Sequence, residues 1–413
     1  MAKVLPFRAM HPAPGLYERV AALPYDVYNR KEARAAALTD PLSFLNIDRP
    51  ETQFPEGYDM YAPEVYEKAA SMLAQQAEEG VYVMDGTPCY YLYELTMDKR
   101  AQTGIVACAS IDDYLSGVIM KHENTREEKE LDRIRHVDTV NAQTGPIFLA
   151  YRKDERISEV IRRVKDGACD FDFTSADGIS HRGWTISGAD DIMAVKNAFA
   201  AIDSIYIADG HHRAASAVKV GLRRREQKPG YTGEEPWNRF LCVLFPDEEL
   251  KILDYNRVVK DLNGLTAGQL LEAIRDVADV EKADAPVRPS RKGEVGLYLP
   301  EGWYLLTFKD SVRSADPVEG LDVSILQKEI LTPILGIGDP RIDSRIDFVG
   351  GIRGLAELER RVREDCAAAF SMYPTSIHEL FDVADAHLLM PPKSTWFEPK
   401  LRSGLFIHRL DED

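Results

Sequence analysis

The chain has 413 residues, 45% hydrophobic and 29% charged, which predicts a globular protein of two or three subdomains and excludes wholesale disorder. Its net charge of -17 excludes a general grip on nucleic acid or on an anionic membrane, because both need a basic surface. No run is apolar enough to span a bilayer, and Met1 to Phe7 lacks the apolar start of a signal peptide. The five cysteines are scattered without a CxxC pair, so a cytoplasmic protein with buried, unpaired thiols and no structural metal is expected.

The first forty residues are rich in Pro and Tyr and include Leu23-Pro-Tyr-Asp-Val27. Asn29 is placed to cap an Ala-rich helix that ends near Leu38. Asp40 to Asn46 reads as a strand entered through a proline. Residues 62–79 read as an amphipathic helix, begun by Pro63 and stopped by Gly80. Tyr90 to Leu95 and Gly104 to Ser110 predict strands joined by a polar turn. Thr125 and Glu128 have capping-box spacing, and Leu131, Ile134, Val137 and Val140 recur behind them at helical spacing.

Pro146 to Tyr151 predicts a buried strand, and Asp154 caps a helix running to about Lys165. Phe171 to Thr174 and Gly183 to Ile186 flank Asp177-Gly178, a hairpin pattern. Residues 190–201 are helical, Ser204 to Ala208 is a strand, and His211 to Arg225 is a helix. Gln227 to Trp237 is a loop, Phe240 to Phe245 a buried strand, and residues 265–281 a helix. Gly293 to Leu299 and Gly302 to Phe308 form a hairpin about Pro300-Glu301. Helices and a late strand, Ala367 to Tyr373, complete the chain. Interleaved strands and helices predict an α/β or α+β class built on a mixed sheet with flanking helices.

Chemistry concentrates at Asp209-Gly-His-His-Arg213, between an apolar strand and an Ala-rich helix. Gly210 permits a sharp turn, and the first N–H groups of the helix are then unpaired and suited to an anion. His211, His212 and Arg213 add donors, and Asp209 stands at the carboxyl end of the strand, where open α/β sheets place ligands. A purely structural first turn, capped by Asp209, is the poorer reading because cations there oppose the helix dipole.

Lys121-His-Glu-Asn-Thr-Arg126 enters the capping-box helix. It is not the HExxH zinc pair, whose second His would fall at Arg126. Glu123, with His122 beside it, suits a general base flanked by Lys121 and Arg126 as phosphate ligands. An ordinary charged helix entrance explains the same residues. Pro391 to Lys400 places Lys393, Ser394 and Thr395 together as a donor group, or else forms a clamp packed through Trp396 and Phe397. No Gly-x4-Gly-Lys precedes it, so it is not a P-loop. Arg345 to Gly354, with Gly350 and Gly351, lacks GxGxxG spacing and reads as a tight strand-to-helix turn.

Leu23 to Val27, Lys121 to Thr125, Ile207 to Arg213, Asp347 to Gly354 and Pro391 to Lys400, in this order, resemble the bacterial and archaeal family of unknown function DUF1015. The Gly-His-His-Arg turn is also similar to the nucleotide-phosphate motif of the ParB/sulfiredoxin superfamily, over about residues 105 to 250. That group includes ParB CTPases, sulfiredoxins and free-serine kinases. Sulfiredoxins carry a reactive Cys where this chain has His211, and ParB proteins need DNA-binding helices, so the kinase branch fits best. The resemblance implies a phosphate-binding domain at residues 105–250, preceded by an α/β region at 1–104 and followed by another at 251–413. It further implies phosphate held by Gly210, His211, His212 and Arg213, and Glu123 as base.

The expected function is therefore phosphotransfer on a small hydroxylated metabolite, as a serine kinase or phosphoserine phosphatase. Asp209 and His122 join Glu123 as catalytic candidates, with ATP or ADP and Mg²⁺ as cofactors. The other reading is a non-catalytic nucleotide- or metabolite-binding regulator. Neither nucleic acid nor membrane is an expected partner, and the oligomeric state is left open.

Overall fold

Two apolar runs separated by Asp98 and Lys99 fold back on each other because both turn residues adopt positive φ, 52° and 64°, the conformation of a tight two-residue turn. The computed structural model describes residues 1–125 and 127–411. They divide into two compact units, Met1–Leu250 with Pro399–Asp413, and Lys251–Glu398.

The first unit contains a nine-stranded sheet. Its strands are β1 (Val4–Leu5), β2 (Tyr90–Met97), β3 (Arg100–Ser110), β4 (Ile119–Met120), β5 (Ile147–Tyr151), β6 (Phe171–Thr174), β7 (Ser180–Ile186), β8 (Ile205–Asp209) and β9 (Arg239–Pro246). They lie in the order β4-β8-β5-β9-β3-β2-β7-β6, with β1 on β3. β8 is parallel to β4 and β9 to β5, while the other pairs are antiparallel, so the sheet is mixed.

Around the sheet lie α1 (Arg30–Ala37), α2 (Pro63–Glu78), α3 (Glu127–Val140), α4 (Glu155–Lys165), α5 (Ala189–Phe199) and α6 (His211–Gln227). Asn29 and Glu32 form a capping box on α1, and the Asp154 side chain accepts from Arg156 N at the start of α4. Every second residue of the central strands is buried on one face: Ile105, Ala107 and Ala109, Ile147, Leu149 and Tyr151, Ile205 and Ile207, Phe240, Cys242 and Leu244. Val160, Phe199, Ala214 and Val218 close this core. Each large side chain taken out of water here contributes about 1.5–3 kcal/mol.

Two sequence expectations fail in this unit. Asp40 to Asn46 is not a strand; it turns into a short helix, Leu45–Asp48. The Asn46 amide donates to the carbonyls of Ala37, Asp40 and Ser43 at 3.3, 3.1 and 3.0 Å, which holds the segment coiled without a strand partner. Leu131 does not join the buried stripe of α3 but is 44% exposed. The buried face of α3 carries Glu130, Arg133 and His136 beside Ile134 and Val140.

The second unit is built on a six-stranded antiparallel sheet. Its strands are β10 (Tyr255–Val259), β11 (Ala278–Ala283), β12 (Glu294–Leu299), β13 (Gly302–Phe308), β14 (Ile346–Gly350) and β15 (Ala368–Met372), in the order β11-β13-β12-β15-β10-β14. The helix expected over 265–281 stops at Ile274. The rest becomes β11, because pairing along β13 overrides local propensity. All five cysteines are free thiols. Among the described residues no helix is long and apolar enough to cross a membrane.

Candidate functional site

The Asp-Gly-His-His-Arg segment is shaped by the end of β8. Its pairing with β5 slips register between Ile207 and Asp209, a bulge that re-aims the strand as it leaves the sheet. Gly210 then adopts φ +93° as the N-cap of α6, and no side chain caps the helix. The first intrahelical bond runs from Ala214 N to Gly210 O at 2.9 Å. The N–H groups that precede it make no intrahelical bond, so the helix start carries the positive end of its dipole.

Asp209 does not cap this helix. Its carboxylate meets Lys400 Nζ at 2.9 Å. Burial alone would raise the Asp209 carboxyl, but Lys400 and Arg213 outweigh it and hold the group well below the usual carboxylate range. The Arg213 guanidinium folds back beneath the turn and donates to Pro146 O at 2.5 Å. A Cβ on Gly210 would stand 3.1 Å from Arg213 Nε and Nη2, so the glycine is required by space as well as by φ.

His211 turns the other way. Its ring meets His122 edge to face, with centroids 4.5 Å apart, and its Nδ1 lies 3.7 Å from Glu123 Oε2. Burial, reinforced by the neighbouring His122, pushes the His211 imidazole well below its ordinary value. Burial also pushes His122 down to about 4, against a hydrogen bond to Ile207 and the charge of Asp209. Both rings are therefore neutral at pH 7, and the approach of Glu123 is a charge–dipole contact rather than an ion pair. His122 Nδ1, His211 Nε2 and Arg213 Nε are buried without a hydrogen-bond partner. Three orphaned polar atoms at one turn are a concentrated departure from the rule that buried polar groups are paired.

Lys121 is exposed and stands over the Tyr114 ring, and its charge helps lower the His211 imidazole. The carbonyl of His212 accepts from Ser216 Oγ at 2.7 Å. The Thr125 hydroxyl donates to the buried carboxylate of Glu130, which also pairs with Lys219. Arg126 lies outside the described residues. Lys393, Ser394 and Thr395 belong to the second unit. There Ser394 Oγ donates to Pro391 O at 2.7 Å, Lys393 O accepts from Arg257, and Lys393 Nζ stands over Tyr255.

Sequence reasoning missed a group beside Arg213. A cavity of about 30 Å³ is lined by Tyr25, Asp48, Arg133, His136, Arg213 and Ser403, among others. That is room for ordered water. Arg133 Cζ lies 4.0 Å from the centroid of the Tyr25 ring, and Thr144 Oγ1 donates to Asp48 at 3.0 Å. A usable signal was present: Glu130, Arg133 and Val140 share the helical spacing of the apolar stripe, and Tyr25 sits in the Leu-Pro-Tyr-Asp-Val segment.

Three solved structures share low similarity with this chain. A free serine kinase in complex with AMP is 14% identical, with a TM-score of 0.36 over 71% of this chain and 86% of that one. SbnI with a C-terminal truncation, from Staphylococcus aureus, is 10% identical, with a TM-score of 0.38 over 75% and 90%. A conserved hypothetical protein from Pyrococcus furiosus is 14% identical, with a TM-score of 0.34 over 72% and 93%. No curated protein matches the sequence. The family model described as "Protein of unknown function (DUF1015)" matches residues 4–324, and the chain belongs to that family.

Proposed function

We propose that the protein is a phosphotransfer enzyme that acts on a small hydroxylated metabolite, with serine as the first candidate and a nucleotide as the phosphate donor. One observation carries this reading: a carboxylate, Glu123, approaches the uncapped N-terminus of α6 within 3.7 Å of His211. Phosphoryl transfer needs, among its parts, donors around the moving phosphate and a residue that positions or deprotonates the attacking hydroxyl.

In this reading the N–H groups of His211 to Arg213 hold the phosphate, and Glu123 takes the proton of the acceptor hydroxyl. His122 and His211, kept neutral by burial, offer ring nitrogens to that site without repelling a cation. Asp209, held ionised by its ion pair with Lys400, fixes the turn. Among the described residues no three or more His, Cys, Asp or Glu side chains are grouped to hold a metal ion. A Mg²⁺ carried in on nucleotide phosphates needs only one or two protein carboxylates.

The test is a phosphate-release and nucleotide-consumption screen pairing ATP, ADP, CTP or pyrophosphate with serine, and phosphoserine alone. Wild type is expected to turn over one combination, and Glu123→Gln to lose about 10²–10⁴-fold, the range of general-base catalysis. Equal turnover in both would reject Glu123 as base. Tight nucleotide binding without turnover would make the protein a binding regulator.

A further inference from the structure

The cavity beside Arg213 shares Tyr25 and Arg133 with a larger pocket of about 210 Å³. Tyr28, Tyr61, Tyr66, Met60, Arg49 and Asp132 also line that pocket. Part of its wall is held by internal hydrogen bonds. Arg49, whose side chain is 9% exposed, donates from Nη1 to the carbonyls of Tyr25 and Tyr28 at 2.8 Å each and from Nε to Glu51 at 2.6 Å. Asp132 accepts from Tyr66 Oη and from Arg133 at 2.9 Å each. Tyr61 is exposed on one side.

His211 and Arg213 are two residues apart on a helix, so their side chains leave it about 200° apart. The His211 side meets Glu123, and the Arg213 side opens toward Tyr25 and Arg133. An in-line phosphoryl transfer needs the acceptor and the leaving group on opposite sides of the moving phosphate. With Glu123 on the acceptor side, the Arg213 side is that of the leaving group.

We propose that the tyrosine-lined pocket seats the nucleoside of the phosphate donor, with its base against the tyrosine rings and Arg133 and Arg213 beside its phosphates. The inference rests on the phosphotransfer reading and adds the place where the donor's nucleoside sits. The bond from the acceptor oxygen to phosphorus forms as the bond from phosphorus to the leaving nucleotide oxygen breaks. The hydroxyl proton passes to Glu123, and the nucleotide leaves with the bonding pair. Aromatic walls favour a planar base over an aliphatic acceptor, which could not stack on the rings.

Calorimetric titration of the full chain with ADP, pyrophosphate and serine tests this, using wild type, Tyr61→Ala and Tyr28→Ala. Each variant is expected to bind ADP about tenfold more weakly, the loss of one base–aromatic contact, with pyrophosphate binding unchanged. ADP affinity unchanged in both variants would overturn the pocket assignment, as would an equal loss for pyrophosphate or a loss for serine alone. In those cases wild-type ADP and pyrophosphate binding still support the phosphate site. Absence of binding by both in wild type would overturn the phosphotransfer reading itself.

Discussion

Asp209 and Lys400 are joined at 2.9 Å although 191 residues separate them in sequence. The contact ties the turn at the head of α6 to the segment that follows Pro399 in the first unit. Burial would neutralise Asp209; Lys400 keeps it ionised.

Replacing Lys400 with Met is therefore expected to raise the Asp209 carboxyl toward its ordinary value. The two side chains are 32% and 17% exposed, between the surface and buried extremes, so the loss of stability should be about 1–2 kcal/mol. Chemical denaturation of Lys400→Met, Asp209→Asn and the double variant measures the coupling. Strictly additive losses would show that the pair contributes nothing beyond its separate side chains.

Gly210 makes a second, separable prediction. Alanine there must hold φ near +93° and bring a Cβ to 3.1 Å from the Arg213 guanidinium. The expected cost is about 1–2 kcal/mol, and if the proposed phosphate site holds, phosphate affinity falls with it because Arg213 is displaced from beneath the turn. Gly117, also at positive φ but with open space around its Cβ position, is the control: alanine there costs only the backbone strain. Equal losses at both positions would mean that contact with Arg213 has no effect.

Much of this arrangement was legible from local chemistry. Asn29 caps its helix, Gly178 turns its hairpin, and Gly210 joins strand to helix, each because one residue type suits one backbone geometry. The approach of Glu123 to the turn was an open question in the sequence, since 87 residues separate Glu123 from Gly210 and only the parallel pairing of β4 with β8 brings their ends together. What escaped was burial of charge. Arg133 lies inside because Asp132 and the Tyr25 ring receive it, and Glu130 because Lys219 and Thr125 do. Periodicity assigns such positions to solvent, so Leu131 took the place in the stripe that they occupy. Lys400 escaped for a related reason: nothing in the Pro391 to Lys400 run singles out its last residue as the partner of Asp209.

The buried histidines set the pH range of stability. His122 and His408 are pushed down to about 4 by burial, and His181 to about 3 by burial and the adjacent Arg402. Each is neutral in the folded protein and titrates near 6.5 when unfolded. Below that value the unfolded chain binds more protons, so stability is full above about pH 6.5 and falls as the pH is lowered. Near pH 5.5 each of the three costs on the order of 1 kcal/mol. Urea denaturation between pH 7.5 and 5 checks the slope. His408→Gln retains a donor for the Pro236 carbonyl, which His408 Nε2 meets at 3.0 Å, and should remove the share of the slope that His408 contributes beside the other buried histidines, His136 and His211 included. A midpoint that stays flat over this range would mean that the imidazoles are reached by water and protonate without unfolding.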